Sequence, residues 1–465
     1  MRVECSRHCR LLSCCYAVGH AVNSLAISLE SRDREPTGRD EVNNVKVSLF
    51  KNFVFLFGAE AFTKLITFAA FAYLARICGP AGFGYIEWAA AILMCASLVV
   101  DQGFSSYGAR EIAKNPDETN RLVARFLLAA VSFVGIVVFA FTFVREENVL
   151  KLVLAYGLSL WTLPLLLQWV FQGHDRMKFV AIAQILRQTV FVAVVITMVR
   201  RADDLVFVGF AEVAGVTTAA AVTVWMYRKF LSGKILFRPV LSRRLFFEGV
   251  PIGMSQAFWV VRMFGATLIL GLVATADDTG YFAGAMRIFI ALHTFVWLYY
   301  FNLLPSLSRA CTEGQEQFNT LIQRSMRIVI LGCIGVGAVW VLVAPWMMAT
   351  AYGQSFANGG GALQWLAGAW IAAAISGHYR FGLIAAGQQK KEMLTSALGA
   401  GMVMVLIPLG YLRNGPSGAA AGVFAAEVVV LMSAWLVARR SLFRSHSVLD
   451  RPKGGLFERA AETSR

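Results

Sequence analysis

The stretch VARFLLAAVSFVGIVVFAFTFV (123–144), REENV (145–149), LKLVLAYGLSLWTLPLLLQWVF (150–171) sets two apolar runs around a short charged loop. Each run is close to the ~20 residues that an α-helix needs to cross ~30 Å of hydrocarbon. Working outward, the same unit recurs at 52–75, 83–105, 179–199, 205–227, 250–273, 281–304, 327–349, 361–386, 394–412 and 417–438. Several of these runs are too rich in Gly and polar residues to stand alone, but their spacing is regular. The pattern predicts an all-α integral membrane protein of about twelve transmembrane helices.

The loops alternate in charge. Every second one is basic, carrying Lys46 and Lys51; Arg110, Lys114, Arg121 and Arg125; Arg176 and Lys178; Arg228, Lys229, Lys234, Arg238, Arg243 and Arg244; Arg309, Arg324 and Arg327; Lys390 and Lys391; Arg439, Arg440 and Arg444. The intervening loops hold only Arg76, Arg145, Lys151, Arg200, Arg201 and Arg413, a ratio of 22 to 6. The positive-inside rule then puts both termini in the cytoplasm. Trp225/Tyr227 and Tyr299/Tyr300 are predicted to form belts at the cytoplasmic interface, whereas Asp277 and Asp278 fall outside with no basic neighbour.

Composition agrees, at 57% hydrophobic, 15% charged and a mean hydropathy of +0.61. In a soluble chain the formal charge of +15 would suggest nucleic acid; here basic loops facing anionic headgroups account for it. The short loops leave no room for a folded extramembranous domain, so function has to reside within the bundle.

Residues 1–45 stand outside this plan. Cys5, Cys9, Cys14 and Cys15, with His8 and His20, lack the paired spacing of a zinc site. The run 11–29 is interrupted by His20, Asn23 and several Ser, which is weak for a signal peptide, and 30–41 has the composition of a disordered segment. The expectation is a poorly structured extension, consistent with a start codon placed too early. Cys78, Cys95, Cys311 and Cys333 are scattered and imply no disulfide framework. The polar tail 441–465 is expected to be a flexible cytoplasmic end.

A faint repeat divides the rest. Gly84-Tyr85 and Gly280-Tyr281 lie 196 positions apart, almost half of the membrane region, and each pair opens a predicted helix. Two parallel six-helix lobes follow, 46–245 with its linker and 246–440, an arrangement associated with alternating access.

The segments LARICGPAGFGYIEWAAAI (74–92) and DQGFSSYGAREIAKN (101–115) resemble signatures of bacterial oligosaccharide flippases of the Wzx type. So do DDTGYFAGAMRI (277–288) and Pro305 in FNLLPSLSRA. That family is the polysaccharide-transporter branch of the multidrug/oligosaccharidyl-lipid/polysaccharide exporter superfamily. The resemblance spans roughly 48–440; Cys78 and the N-terminal extension depart from it. It implies an exporter-superfamily fold in a bacterial cytoplasmic (inner) membrane. It also implies transfer of polyprenyl-pyrophosphate-linked oligosaccharide to the outer leaflet for O-antigen, capsule or exopolysaccharide synthesis. A polysaccharide polymerase and a chain-length regulator are the implied protein partners, with no cofactor. A cation-coupled drug exporter of the same superfamily stays open. A membrane polymerase or ligase fits less well because every outer loop is short, and no nucleotide-binding, HExxH or GxSxG pattern occurs in a usable loop.

Ionisable groups at membrane depth cost at least ~2.5–3.5 kcal/mol on insertion scales and therefore suggest function. Lys64 and Arg262 lie near the midplane, one per half, as expected of pyrophosphate ligands. Glu60 precedes Lys64 by one helical turn, in the favourable order for an ion pair. Arg262 has no local acid and is the stronger ligand candidate; Arg287, nearer the outside, either guides the head group outward or snorkels. Arg187 and Glu212 either pair or line a cavity. Glu427 has no local cation and is a candidate for coupling or for pairing with another helix. Asp101 is a candidate cap or gate, His293 a packing element or proton relay, and Arg380 a snorkelling residue. No metal site is expected.

Overall fold

The computed structural model describes residues 41–101, 103, 105, 108, 122–174, 176–231, 254 and 257–442, with side chains of the first helix from Phe62 onward. The N-terminal extension, most of the linker 228–248 and nearly all of the tail lie outside the described residues. Residues 1–58 and 59–465 form separate units. Of the first, 41–58 is helical, the leading part of the helix Glu41–Asp101. The description below concerns the second.

Every element described there is helical; no strand occurs among the described residues. Among the described residues, eight helices are long and apolar enough to cross a membrane. Two of the eight are bent pairs. In Glu41–Asp101 the backbone turns at Gly79 (φ 66°) and restarts at Pro80, giving α1 (59–78) and α2 (80–101). In Gln389–Ser441 it turns at Asn414 and Gly415 (φ 54°) and restarts at Pro416, giving α11 (389–413) and α12 (416–441). In both cases glycine takes the left-handed turn that other residues resist, and proline, which has no N–H to donate, opens the next helix.

The remaining elements are α3 (Leu122–Phe143), α4 (Glu147–Gly173), α5 (Met177–Met198) and α6 (Leu205–Phe230), followed by α7 (Ala257–Val273), α8 (Ala276–Glu313), α9 (Gln315–Tyr352) and α10 (Gly360–Ala385). Twelve helical segments thus stand where the apolar runs predict them. α4 breaks into 3₁₀ turns at Ser159–Trp161 and Leu163–Leu165, where Pro164 cannot continue the α-helical ladder.

Two expectations are corrected. The cytoplasmic loop predicted between 304 and 327 is helix instead: α8 and α9 run on to meet at Gly314 (φ 142°). Tyr300 is not an interfacial belt residue; it is 1% exposed and donates to the Ala374 carbonyl at 2.6 Å. A buried phenol needs such a partner, and α10 supplies it. Trp225 does sit on the surface, with Lys229 over its ring at 5.0 Å.

The alternation of loop charge in the sequence distinguishes a basic face of the bundle from a sparse face opposite. On the sparse face Asp277 and Asp278 occupy the first turn of α8, where the helix dipole favours them. Thr275 Oγ1 accepts from the Asp278 N–H at 3.2 Å, and Tyr411 Oη donates to Asp278 Oδ2 at 2.9 Å.

The two Gly-Tyr pairs of the sequence repeat meet on this face. A Cβ on Gly84 would collide with the Ala276 carbonyl oxygen, and one on Gly280 with the Pro80 carbonyl oxygen. Pro80 and Ala276 are also 196 positions apart, so the contact is reciprocal: each helix start rests on the other's glycine. Such an approach is open to glycine because it brings backbone against backbone.

Candidate functional site

Among the described residues three side chains, Arg76, Trp88 and Arg287, bond the α1–α2 hairpin to helices α7–α9, all in the half of the bundle toward the sparse face. Arg76 Nη2 donates to the Thr350 carbonyl at 2.6 Å. Trp88 Nε1 donates to the Leu268 carbonyl at 3.0 Å. Arg287 donates to Glu87 Oε1 through Nε at 2.8 Å and Nη2 at 2.5 Å. Around them Phe83 packs edge-on against Phe356 and tilted against Tyr352. At the basic face, bonds run between neighbouring helices of one half: Arg125 to Asp101 at 3.3 Å, and Arg380 to Glu392 at 2.6 Å.

Arg287 and Glu87 sit at membrane depth. At about 1.5 Å per residue from the sparse-face ends of α8 and α2, they lie roughly 16 Å and 10 Å down. Phe71 of α1 covers one face of the guanidinium, with Cζ 3.3 Å from its ring centroid, a cation–π arrangement strengthened by desolvation. The pair is nonetheless open, at 22% and 12% side-chain exposure. Tyr156 of α4 lies within Coulombic reach of Glu87 and Arg287 and also of Glu212. Glu212 is paired with Arg187, Nη2 to Oε1 at 2.5 Å, and that arginine is 37% exposed. The α5–α6 pair and the α2–α8 pair thus flank the buried Tyr156, and each acid engages its arginine through a single carboxylate oxygen.

Arg262 is placed differently. It lies in a π-helical turn, Val261–Gly265, a local widening often found at functional positions. Its Nη2 binds both oxygens of Glu427 on α12, at 2.5 and 2.6 Å, and both side chains are 2% exposed. Arg262 has no local acid, as its sequence surroundings show; its acid comes from a distant segment, and of the two readings of Glu427 the pairing with another helix is present. Gly399 of α11 leaves room for Val430 and the arginine, since a Cβ there would collide with Val430 Cγ2 and lie 3.2 Å from Arg262 Cδ. Nε and Nη1 remain buried without a hydrogen-bond partner among the described residues. His293 of α8 is within Coulombic reach of this pair and stacks on Phe289.

The other sequence candidates divide. Lys64 is exposed on α1, and Glu60 lies outside the residues with described side chains. Asp101 accepts from Ser105 and from the buried Arg125, fastening α2 to α3. Arg380 does not snorkel; it is held by Glu392, which also accepts from Ser396 Oγ at 2.8 Å. Sequence reasoning missed a polar chain in which His378 Nδ1 meets Tyr300 Oη at 2.5 Å and its Nε2 meets Ser325 Oγ at 2.9 Å. His378 is fully buried. Its sequence signal was a lone histidine in an Ala/Gly-rich run, which carries no chemistry by itself.

Comparisons with known proteins bear on what this interior handles. A family model described as polysaccharide biosynthesis protein matches residues 49–311. A protein of Escherichia coli (strain K12) named "Putative O-antigen transporter" is 24% identical over 408 residues, covering 84% of this chain and 96% of that protein. One of the same name from Shigella dysenteriae is 24% identical over 327 residues, covering 68% and 80%. Among solved structures, the lipid II flippase MurJ in an inward closed conformation superposes with a TM-score of 0.67 at 12% identity, over 83% of this chain and 87% of that one. An inward-facing multidrug resistance MATE family transporter of the MOP superfamily gives 0.60 at 14%, over 82% and 94%. At such identities the structures establish a shared fold.

Proposed function

The chain belongs to the polysaccharide biosynthesis protein family and is a multi-pass membrane transporter rather than an enzyme; from that premise we propose how it moves a polyprenyl-pyrophosphate-linked oligosaccharide from the cytoplasmic to the outer leaflet. The charge asymmetry of the loops supports a cytoplasmic basic face and cytoplasmic termini, and the bacterial relatives support a bacterial inner membrane. The sparse face is then the outer one, closed by the Arg76–Thr350 and Trp88–Leu268 bonds and by the close backbone approach at Gly84 and Gly280. The conformation is outward-closed. Helices 1–6 and 7–12 act as two lobes, 46–245 and 246–440, whose rocking opens and closes this seam.

A single observation carries the substrate assignment: Arg287 and Arg187 stand at membrane depth, partly exposed, each engaged by a single carboxylate oxygen. A guanidinium fork matches phosphate oxygens and stays charged when partly desolvated. Arg287 is the principal pyrophosphate contact and Arg187 the second. Lys64, exposed on α1, extends the positive surface toward the cytoplasm. Arg262, enclosed with Glu427, is part of the second lobe's framework. Asp101 tethers α2 at the cytoplasmic end and takes no part in coupling. A polymerase that consumes the exported units and a chain-length regulator are the fitting protein partners. The drug-exporter reading shares the fold, but the family match favours the glycolipid.

The test uses a deletion strain complemented with variants, scoring accumulated lipid-linked oligosaccharide and surface glycan per membrane-inserted protein. Arg287→Ala is expected to retain under about a tenth of wild-type export, since a charge-assisted bidentate contact contributes ~1.5–3 kcal/mol and 1.4 kcal/mol is tenfold. Arg287→Lys is expected to be intermediate. Wild-type export by Arg287→Ala at normal abundance would remove that residue from the site.

A further inference from the structure

Six ion pairs occur among the described residues, and five of them join groups within one half of the chain. Glu87–Arg287 is the exception, joining α2 to α8. It lies about one turn below Gly84 on α2 and two turns below Gly280 on α8, directly under the glycine seam. Breaking any other of these pairs loosens a lobe; breaking this one loosens the lobes from each other.

The geometry also says how it breaks. One carboxylate oxygen, Oε1, takes both Nε and Nη2 of Arg287, so Glu87 occupies a single edge of the guanidinium. Phe71 covers one of its faces. The remaining edge, with Nη1, is left for an incoming acceptor. A pyrophosphate carries at least two negative charges where Glu87 carries one, and it brings several oxygens to the same fork. Once it holds Arg287, the Glu87 carboxylate, only 12% exposed while paired, has lost its cation and faces a second anion. Like charges at that separation in a poorly solvated interior repel by several kcal/mol, and the repulsion acts across the seam.

We propose that Glu87 is the latch of the outer gate: it holds Arg287 in the empty carrier, and the substrate's pyrophosphate opens the gate by taking Arg287 from it. Glu87 is thus a positioning residue, acting through Arg287. Binding energy at the head group is converted into opening because the pyrophosphate prefers the state in which Arg287 is released. After the product leaves, Glu87 recaptures Arg287 and the glycine seam closes. This proposal rests on the glycolipid-transport reading given above.

The full-length protein is reconstituted in phosphatidylethanolamine/phosphatidylglycerol vesicles. Amide hydrogen exchange is followed in peptides covering 76–88 and 273–287, with undecaprenyl pyrophosphate, with undecaprenol, or with neither. Thermal shift reports lipid binding in the same samples. In the wild type the pyrophosphate is expected to speed exchange on both peptides about tenfold or more, as expected for losing one partly buried ion pair, and undecaprenol to leave it unchanged. Glu87→Gln is expected to exchange fast without lipid while still binding undecaprenyl pyrophosphate; a purely structural role would change stability but not this lipid dependence. Glu87→Asp, the milder variant, should retain a lipid response. Binding without any change in wild-type exchange would overturn the latch and leave transport standing. Equal thermal shifts with undecaprenol and undecaprenyl pyrophosphate would instead overturn pyrophosphate recognition itself. Slow exchange in lipid-free Glu87→Gln, properly inserted, would also overturn the latch.

Discussion

At the residue scale, Arg262 and Arg287 show how one residue type is put to two uses. Arg262 and Glu427 are enclosed together, and a buried pair of this kind roughly breaks even against a well-packed apolar pair, whereas removing one partner costs about 3–5 kcal/mol. Arg262→Ala and Glu427→Ala are therefore expected to lower thermal stability and membrane abundance sharply. The double variant Arg262→Met/Glu427→Leu should recover most of both and export glycan. A stable double variant that fails to export would return Arg262 to the substrate path. The pairing was partly legible: the sequence showed a cation without a local acid and an acid without a local cation at matching depth in the same half. It could not show that a π-turn aims Arg262 at α12, nor that Gly399 leaves space for it. Arg187–Glu212 was one of two readings, and the bond is present. In sequence Glu87 is an acid near one end of its helix with no local cation; its partner lies 200 positions away, on a contact that no local pattern encodes.

At the scale of elements, hydrophobic length found the helices, while small residues decided how they join. The Gly79-Pro80 and Gly415-Pro416 turns fall between predicted runs. The helical extension of α8 and α9 beyond the apolar runs was not legible from hydropathy, because charged residues such as Arg309 and Arg324 suit a helix in water as well as a loop. The repeat signal was two dipeptides, and the structure makes them touch. Gly280→Ala would push a methyl group into the Pro80 carbonyl, so the closed seam should yield. Thiol labelling of a cysteine introduced at Thr275 should become faster, and export should fall. Gly335→Ala has nothing within 4 Å of the new methyl and is expected to match wild type. Equal labelling in both variants would show that the glycine contact is not the outer seal.

At the scale of the whole molecule, the proposed cycle requires the lobes to separate at the outer face once per transported unit. In a cysteine-free background, Arg76→Cys and Thr350→Cys sit at the ends of a bond that spans this face. A cleavable bifunctional thiol crosslinker between them should arrest export, and cleavage should restore it; continued export with efficient crosslinking would contradict rocking that opens the seam. The most direct test of the central claim is leaflet transfer itself. Purified protein is reconstituted in vesicles loaded with fluorescent polyprenyl-pyrophosphate oligosaccharide, and the fraction reachable by an external glycosidase is followed over time. The account predicts that wild-type protein exposes the inner-leaflet pool within minutes, that Arg287→Ala exposes little above protein-free vesicles, and that no new glycosidic bond forms. Wild-type vesicles whose inner-leaflet pool stays as protected as in protein-free vesicles would contradict it.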